Sequence, residues 1–302
     1  MTQLPALSIA FMSPWTDRTG RFSPLKCAAF IGVLAPAAWI AIEAQQGWLG
    51  ARPVTAAIHQ SGLWAVRLLA MTLAVTPLRS ALRWSKLIAV RRILGVSVLA
   101  YAGLHLLLYM LDQHFDIAHV GSEIVSRIYL VIGFLAFCAL CILGATSTDG
   151  MIARLGAPRW TRLQQLVYPV AALASVHFFM QSKLDVSEPI LMAGLFLLLL
   201  AYRLEQRWRG DLSPWRVAGL AALAALATAF GEALWYAVSV RAPFLLVLGA
   251  NLDFSFTVRP CWFVLGAGAI LLIARLLRPL MTPAGPSPRG RIGAMSAYPK
   301  TP

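Results

Sequence analysis

The strongest constraint on this chain is a series of apolar runs, each long enough to cross a membrane as a helix. A bilayer core is crossed by about 20 apolar helical residues, and only helices or closed barrels satisfy the backbone inside it. No run alternates polar and apolar residues with a period of two, so the pattern predicts helices. Eight spans are predicted, at residues 27–45, 62–78, 93–111, 128–147, 163–181, 189–205, 215–238 and 261–279.

The composition agrees with an all-α integral membrane protein. Hydrophobic residues make up 59% of the chain and charged residues 13%, whereas soluble domains carry about 25% charged residues. The net charge of +14 does not indicate a nucleic-acid partner, because the basic residues lie in short loops between spans rather than on one continuous surface. Membrane topology and attraction to anionic membrane lipid explain this charge.

The basic residues also predict an orientation, since Lys and Arg accumulate in cytoplasmic loops. With an even number of spans and both termini in the cytoplasm, 20 of the 26 Lys and Arg residues fall on the inner side. Shifting the count by one span would lose this bias. The 20 residues are Arg18, Arg21, Lys26, Arg79, Arg83, Lys86, Arg91, Arg92, Arg154, Arg159, Arg162, Arg203, Arg207, Arg209, Arg216, Arg275, Arg278, Arg289, Arg291 and Lys300.

Two histidines, His105 and His177, lie inside otherwise apolar runs, RRILGVSVLAYAGLHLLLYML and LQQLVYPVAALASVHFFMQ. Their spans enter from the same side, and the helical rise places them roughly 18 and 21 Å deep. Neutral imidazole binds metals readily, and a haem iron takes two axial ligands from opposite faces of its macrocycle at one depth. The pattern therefore predicts a haem held by this pair. The alternative, that each histidine separately hydrogen-bonds a neighbouring helix, stays open.

Other polar residues carry weaker signals. His114 and His119 fall in a loop and are expected to be solvated. Glu232 lies inside the seventh span, where we expect a neutral side chain hydrogen-bonded to a neighbouring helix or, alternatively, a proton relay. Cys138 and Cys141 form a C-x-x-C inside an apolar helix, where buried thiols react poorly and packing is the expected role. The sequence contains no G-x-x-x-x-G-K-[ST], H-E-x-x-H or G-x-S-x-G motif.

Several motifs recur in a fixed order across residues 30–208 and together resemble one family. They are His59 with Gly62, Thr76-Pro77-Leu78, Arg91-Arg92 with Leu94-Gly95, Leu104-His105 with Tyr109, Arg127 with Tyr129 and Gly133, Thr146-Ser147, Leu155-Gly156 with Trp160 and Leu163, Val167-Tyr168, and His177. The series resembles the haem-binding membrane subunit of the periplasmic methionine-sulfoxide reductase system (MsrQ/YedZ type), within the ferric-reductase-like transmembrane superfamily.

The resemblance implies an electron-transfer subunit with haem b in the bacterial inner membrane. Its catalytic partner would be a periplasmic molybdenum-cofactor reductase that repairs oxidised methionine. Electrons would come from the quinone pool or a cytoplasmic flavin reductase, with FMN as a further cofactor, and His105 and His177 would be the haem ligands. Arg91, Arg92 and Arg162 are candidates to bind haem propionates or a flavin phosphate, because guanidinium pairs with such anions. Ordinary inside-positive charge explains these arginines equally well.

The chain departs from the family pattern in two places. Family members carry a histidine thirteen residues before the position of His177, where this chain has Gln164. An amide is a poor iron ligand, so we expect one haem rather than a second near the inner face. Residues 209–302 add two spans and a tail beyond the recognised core, and no role is assigned to them.

These observations divide the chain into a cytoplasmic segment 1–26, a ferric-reductase-like haem-binding core 27–208, two additional spans within 209–280, and a disordered cytoplasmic tail 281–302 rich in Pro, Gly and Ser. Two other functions stay open. A stand-alone ferric or quinone reductase would use the same haem on small molecules. A membrane scaffold or transporter would bind no cofactor.

Overall fold

The computed structural model describes residues 15–16, 19–182, 185–255 and 257–278. Within these residues the regular elements are helices, and the β contact between Thr16 and Phe22 is an isolated bridge. The α-helices of the described chain are α1 (Pro24–Gln45), α2 (Pro53–Leu82), α3 (Arg91–Asp112), α4 (Ile117–Ser126), α5 (Ile128–Ala145), α6 (Asp149–Leu155), α7 (Ala157–Leu163), α8 (Val167–Gln181), α9 (Ser187–Arg209), α10 (Pro214–Ser239), α11 (Phe244–Leu252) and α12 (Pro260–Leu276).

The predicted all-α membrane bundle is confirmed, and the chain is a multi-pass membrane protein. In the described part of the chain, seven helical stretches are long and apolar enough to cross a membrane, and they match the first seven predicted spans. The eighth predicted span is α12, which is apolar but has 17 residues. Its length is about 26 Å, against about 30 Å for a hydrocarbon core. The predicted tail at residues 281–302 lies outside the described residues.

Several predicted loops contain short helices. α4, α6, α7 and α11 have 7 to 10 residues, too few for the hydropathy of a membrane span to reveal them. Side-chain caps mark two of these helices. The Asp116 carboxylate accepts from the His119 backbone N–H at the start of α4, and the Thr148 hydroxyl accepts from the Met151 N–H in α6. A 3-10 turn, Gln164–Leu166, joins α7 to α8 and interrupts the predicted fifth span.

α2 lies at the centre of the bundle and packs against α1, α3, α9 and α12. Its Leu68, Leu69 and Leu73 are each at most 2% exposed. α10 and α12 pack on each other and on α9. Gly268 of α12 lies against the Ala221 side chain of α10 with no room for a Cβ, which is the small-residue packing that lets membrane helices approach closely. The additional C-terminal helices therefore pack directly onto helices of the predicted core.

A side chain of α3 completes the hydrogen bonding of α1 beside a proline. Pro36 lies inside α1. The Ala37 backbone N–H donates to the Tyr101 hydroxyl at 2.8 Å, and that hydroxyl donates to the Val33 carbonyl at 2.7 Å. A regular helix would join Ala37 to Val33 directly, so the hydroxyl is inserted into the helical ladder. Because Tyr101 lies one turn before His105, this contact fixes α3 next to the predicted ligand.

One end of the bundle carries most of its arginines, at the C-termini of α2, α9 and α12 and the N-termini of α3 and α10. We call it the Arg-rich end, and the opposite end the far end. Asp211 joins two of these arginines: its Oδ1 lies 2.9 Å from Arg275 Nη2, and its Oδ2 lies 2.6 Å from Arg278 Nη1. The hydrogen bonds from Arg275 and then Arg278 lower the pKa of Asp211 from 3.8 to about 2.

Replacing Asp211 with Asn should destabilise the bundle, because Arg275 is only 8% exposed and would lose its carboxylate partner. Asp211 is half exposed, so we expect a loss of about 1–2 kcal/mol rather than the about 3–5 kcal/mol of a fully buried pair. Because the pKa is depressed, the ion pair stabilises the fold above about pH 4, and this contribution is lost as the pH falls through about 2. Unfolding in detergent across this pH range measures the difference in unfolding free energy between the unchanged chain and the Asp211→Asn variant.

Asp112→Asn is the matched control, since Asp112 is exposed and forms no ion pair among the described residues. It should change stability by less than about 0.5 kcal/mol at every pH. The assigned ion pair would be contradicted if Asp211→Asn lost no more unfolding free energy than the control. It would also be contradicted if that loss did not shrink toward low pH.

Candidate two-histidine site

The structure brings His105 and His177 together at the far end of the bundle. His105 lies on α3 and His177 near the C-terminus of α8. Their ring centroids are 6.3 Å apart, with an angle of 87° between the ring planes. Both side chains are half-buried. The equal depth expected from the sequence is therefore accompanied by direct proximity.

Each imidazole is anchored to the backbone of another helix. His105 Nδ1 lies 2.8 Å from the Ile58 carbonyl oxygen of α2, and His177 Nδ1 lies 2.8 Å from the Tyr129 carbonyl oxygen of α5. A carbonyl oxygen can only accept, so in each ring Nδ1 carries the proton and donates. Nε2 then keeps its lone pair. This arrangement is the one that orients histidines as metal ligands in proteins.

A glycine faces each ring at the point of contact. A Cβ added to Gly62 would lie 2.8 Å from His105 Nδ1, and one added to Gly133 would lie 2.7 Å from His177 Nδ1. Each glycine lies one helical turn after the residue whose carbonyl accepts the hydrogen bond. The same device therefore occurs twice, once between α2 and α3 and once between α5 and α8. Only glycine leaves room for an imidazole this close to the helix backbone.

The separation of the rings fits two ligands of one iron. A metal–imidazole bond is about 2.0–2.1 Å and the ring centroid lies about 1.1 Å behind the nitrogen, so two rings on opposite sides of one ion have centroids about 6.3 Å apart. The observed distance is 6.3 Å. Aromatic rings in direct edge-to-face contact span the same range, so the distance alone fits both arrangements. The two anchored Nδ1 atoms favour ligation, since they leave both Nε2 lone pairs available.

The donor set fits a haem better than a bare metal ion. The described residues contain no group of three or more His, Cys, Asp or Glu side chains that could hold a metal ion. A porphyrin supplies four nitrogens itself and needs only axial ligands from the protein. Two half-buried imidazoles are sufficient for that role. His114 and His119 are both exposed, as expected, but only His114 lies in a loop: His119 lies within α4, so its placement in a loop is wrong.

The structure does not bring the three candidate arginines to the histidines. Arg91 begins α3 and His105 follows fourteen residues later, which is about 21 Å of helix. Arg92 is exposed and pairs with Asp149 at 2.6 Å, and Arg162 is exposed on α7. All three lie at the Arg-rich end, whereas the histidines lie at the far end. Binding of propionates from a haem on these histidines is therefore not supported by their positions.

Tyr129 connects the site to the surface of the far end. Its ring centroid lies 6.4 Å from that of His177. Its hydroxyl accepts a hydrogen bond from Arg127 Nη1 at 3.1 Å, and Arg127 Nη2 lies 2.7 Å from Glu123 Oε2. The hydrogen bond to Tyr129 raises the pKa of Arg127 further, so this exposed guanidinium remains charged. A chain of contacts therefore runs from the His177 ring to a charged side chain on the surface.

Gln164 and Glu232 both carry buried polar atoms that have no hydrogen-bond partner among the described residues. Gln164, at the position where the family pattern has histidine, has a buried Nε2 that donates to no group among the described residues. Glu232 in α10 is fully buried, but neither carboxylate oxygen has a hydrogen-bond partner in the described chain. The expected hydrogen bond from a neighbouring helix is therefore wrong. The nearest cation is Arg259, whose Nη1 lies 3.9 Å from Glu232 Oε1 and which precedes α12.

Comparison with known proteins places the chain in a family. A family model described as a ferric reductase like transmembrane component matches residues 61–175. The protein-methionine-sulfoxide reductase heme-binding subunit MsrQ of Rhodospirillum rubrum is 41% identical over 189 residues, which are 62% of this chain and 88% of that protein. The chain belongs to the MsrQ family. The resemblance seen in the sequence motifs is thereby confirmed.

Two further MsrQ proteins show the same extent of similarity. The protein of Xanthomonas campestris is 42% identical over 189 residues, covering 60% of this chain and 86% of the relative. That of Caulobacter vibrioides is 36% identical over 182 residues, covering 60% of this chain and 85% of the relative. No solved structure matches the chain. More than a third of this chain therefore lies outside the part aligned with each of these relatives.

Sequence reasoning missed the backbone anchors of the two imidazoles. Gly62 and Gly133 appear among the family motifs, yet their role depends on which helices are neighbours. A signal was present in the sequence for Gly133, which lies inside the predicted span 128–147, where glycine costs about 1 kcal/mol relative to alanine and needs a packing reason. Gly62 is the first residue of the predicted span 62–78 and carried no such signal. Pairing each glycine with its histidine required the packing of α2 on α3 and of α5 on α8.

Substituting Gly62 or Gly133 with Ala should disturb the site locally, because the added methyl would overlap the imidazole ring. We expect each variant to lose about 1–3 kcal/mol of unfolding free energy through overpacking. Gly103→Ala on α3 is the matched control, since its added Cβ meets nothing within 4 Å. That control should be neutral or slightly stabilising. Chemical unfolding in detergent measures all three, and equal effects would contradict the close approach.

Proposed function

We propose that this chain is the haem-binding membrane subunit of a protein-methionine-sulfoxide reductase, and that His105 and His177 hold one haem b. The chain accepts electrons from a donor in or at the membrane and delivers them to a separate periplasmic reductase that carries a molybdenum cofactor. A bound haem supplies a one-electron carrier for this transfer. The membrane is the bacterial inner membrane, with both termini of the chain in the cytoplasm.

The observation that carries the proposal is the pair of anchored imidazoles. Their centroid separation of 6.3 Å suits one iron between them, and both Nδ1 atoms donate to backbone carbonyls. MsrQ relatives carry the description of a heme-binding subunit of protein-methionine-sulfoxide reductase. The two histidines and the glycines that face them, Gly62 and Gly133, all lie within 27–208, the segment that we propose as the functional core.

The cysteines support a haem held without covalent attachment. Attachment of a c-type haem uses C-x-x-C-H, and here Cys141 is followed by Ile142 inside α5. All four cysteines are free thiols. Because Cys138 and Cys141 lack the following histidine of that motif, we propose a haem of the b type, held by its ligands and by packing.

The positive-inside rule supports the direction of transfer. The Arg-rich end faces the cytoplasm under this rule, so the two-histidine site lies toward the periplasm. Tyr129 and the charged Arg127 lie between the site and that surface. We propose that the partner reductase docks at this end. FMN stays a prediction, and its phosphate would find Arg91, Arg92 and Arg162 at the cytoplasmic end.

An apolar groove beside α8 favours the quinone pool as the donor. The groove has a volume of about 610 Å³, lies between α8, α9 and α10, and is lined by apolar side chains that include Val176, Phe179 and Trp235. Val176 lines the groove and is followed directly by His177, so the groove and the proposed iron ligand lie on adjacent faces of α8. A lipid-soluble quinol could reach the two-histidine site through this groove from the bilayer, whereas a cytoplasmic flavin reductase would have to deliver its electrons from the opposite end. Entry through the groove needs no second haem near the inner face, where Gln164 replaces the histidine of the family pattern.

Replacing His105 or His177 with Ala should abolish haem binding, because each removal leaves the iron without one axial ligand. The full chain should bind one haem, and each variant should bind less than about a tenth of that amount, as expected for loss of a metal ligand. Pyridine haemochrome assay and the reduced-minus-oxidised visible spectrum measure this directly. His114→Ala is the control and should retain the haem, since His114 is exposed on the loop before α4.

A chain without haem bands would exclude the cytochrome proposal and favour a scaffold or transporter. Copurification with a periplasmic molybdoenzyme, and electron delivery to it, separates the proposed role from a stand-alone ferric or quinone reductase. Reduction of small molecules with no partner requirement would favour the stand-alone enzyme.

Filling the groove should slow quinol-dependent reduction of the protein. Ala227→Trp places an indole into the groove lined by Ala227, whereas Ala222→Trp places one on the same helix outside it. We expect at least about a tenfold lower rate with quinol for Ala227→Trp, because a filled pocket excludes its ligand. Reduction by dithionite should be unchanged in both variants. Equal quinol rates for the two variants would contradict entry through the groove.

A further inference from the structure

A polar cavity of about 330 Å³ lies at the Arg-rich end, apart from the two-histidine site. Its walls come from the last turns of α2, the following 3-10 turn, α9 and the residue stretch after α12. This size falls within the about 300–1,000 Å³ range of pockets that hold small ligands. The lining consists of polar and basic residues, namely Thr76, Arg79, Ser80, Arg83, Ser85, Gln206 and Arg278.

The charge of the cavity is strongly positive. Arg79, Arg83 and Arg278 line it, and Arg275 lies next to it through the shared partner Asp211. Asp211 offsets part of this charge. Among the described residues no carboxylate forms an ion pair with Arg79 or Arg83, and both side chains are exposed. The cavity therefore has an excess of guanidinium groups that can pair with an anion.

Arg83 lies at the end of α2 in a backbone conformation that L-residues rarely adopt. Arg83 ends α2 with φ 51° and ψ 27°, in the left-handed region. Glycine is the usual residue at such a helix end, because an L-residue there costs about 1 kcal/mol. Arg83 occupies this position in spite of the cost, and its side chain is among those that line the cavity.

Neutral hydrogen-bonding groups complete the lining. Gln206 Nε2 donates to Ser80 Oγ, which joins α9 to the last turn of α2 and orients the serine hydroxyl. Thr76 and Ser85 add two further hydroxyls. Phosphate oxygens accept hydrogen bonds from both guanidinium and hydroxyl donors, and arginine pairs with phosphate through two parallel N–H bonds. This set of donors without a competing acceptor on Arg79 and Arg83 suits a phosphate group.

The cavity lies at the level of lipid headgroups. α2 ends at Leu82 and α12 at Leu276, so its walls form where the spans leave the bilayer. Trp84 follows Arg83 and is 41% exposed, a position typical of the aromatic side chains at membrane interfaces. Basic pockets between membrane helices on the cytoplasmic side bind the headgroups of anionic lipids.

We propose that this cavity binds the phosphate of an anionic phospholipid headgroup, held chiefly by Arg79, Arg83 and Arg278. The bound lipid ties the end of α12 to the end of α2, and so joins the additional C-terminal helices to the centre of the bundle. This site is independent of the haem, since the cavity and the two-histidine site lie at opposite ends of the spans. A soluble phosphate, free or as part of FMN, has the same chemistry but a different source.

The test uses the delipidated full chain in a neutral detergent. Native mass spectrometry measures binding of phosphatidylglycerol, with phosphatidylcholine as the zwitterionic lipid. The double variant Arg79→Gln/Arg83→Gln should bind phosphatidylglycerol at least about tenfold more weakly, as expected for two lost arginine contacts. The matched control Arg154→Gln/Arg159→Gln removes the same charge from α6 and α7 and should bind as the unchanged chain does.

Competition identifies the source of the phosphate. Inorganic phosphate and FMN, each added in equal concentration to the lipid, should not displace phosphatidylglycerol. Displacement by either would overturn the lipid assignment, as would equal affinity for phosphatidylcholine or equal weakening in the control pair. Haem content and the unfolding midpoint of each variant show whether a loss of binding comes from a failure to fold. The Arg83→Lys variant keeps the positive charge, so it should bind phosphatidylglycerol more tightly than the double variant does.

Discussion

The hydrogen bond from each imidazole to a carbonyl of another helix is the interaction on which the two-histidine site depends. It fixes the tautomer of His105 and of His177, sets the orientation of each ring and leaves the lone pair of each Nε2 available. In a membrane this bond also has a packing cost, because the ring can reach the carbonyl only where a glycine opens the helix surface. The chain meets both requirements twice with the same combination of residues.

This combination explains why helix positions matter as much as ligand identity. α3 must rest on α2, and α8 must rest on α5, at the turn where Gly62 and Gly133 lie. Helix packing in lipid lacks the hydrophobic driving force present in water, so close contact between small residues carries much of the association. The glycines therefore serve the bundle and the site together.

Much of the fold could be predicted from the sequence, because the hydrophobic thickness of a bilayer imposes the same length on every span. The position of His105 and His177 at one depth followed from helical rise alone. The short helices between spans could not be predicted in this way, since α4 and α11 are shorter than any membrane-crossing pattern. The ion pair of Arg92 with Asp149, and that of Glu232 with Arg259, depend on contacts between distant segments of the described chain. No periodicity in the sequence encodes such contacts.

The Tyr101 hydroxyl inserted into α1 has a consequence for how the bundle is assembled. The first span is synthesised and enters the bilayer before α3 exists, so at that stage the Ala37 N–H and the Val33 carbonyl beside Pro36 have no phenol between them. Without the phenol, these two groups must bond each other directly, as in a regular helix, or stay unbonded in hydrocarbon, which is costly. α1 thus reaches its final hydrogen bonding only when the third span arrives, which makes the docking of α3 a late and stabilising event in the biogenesis of the leading helix.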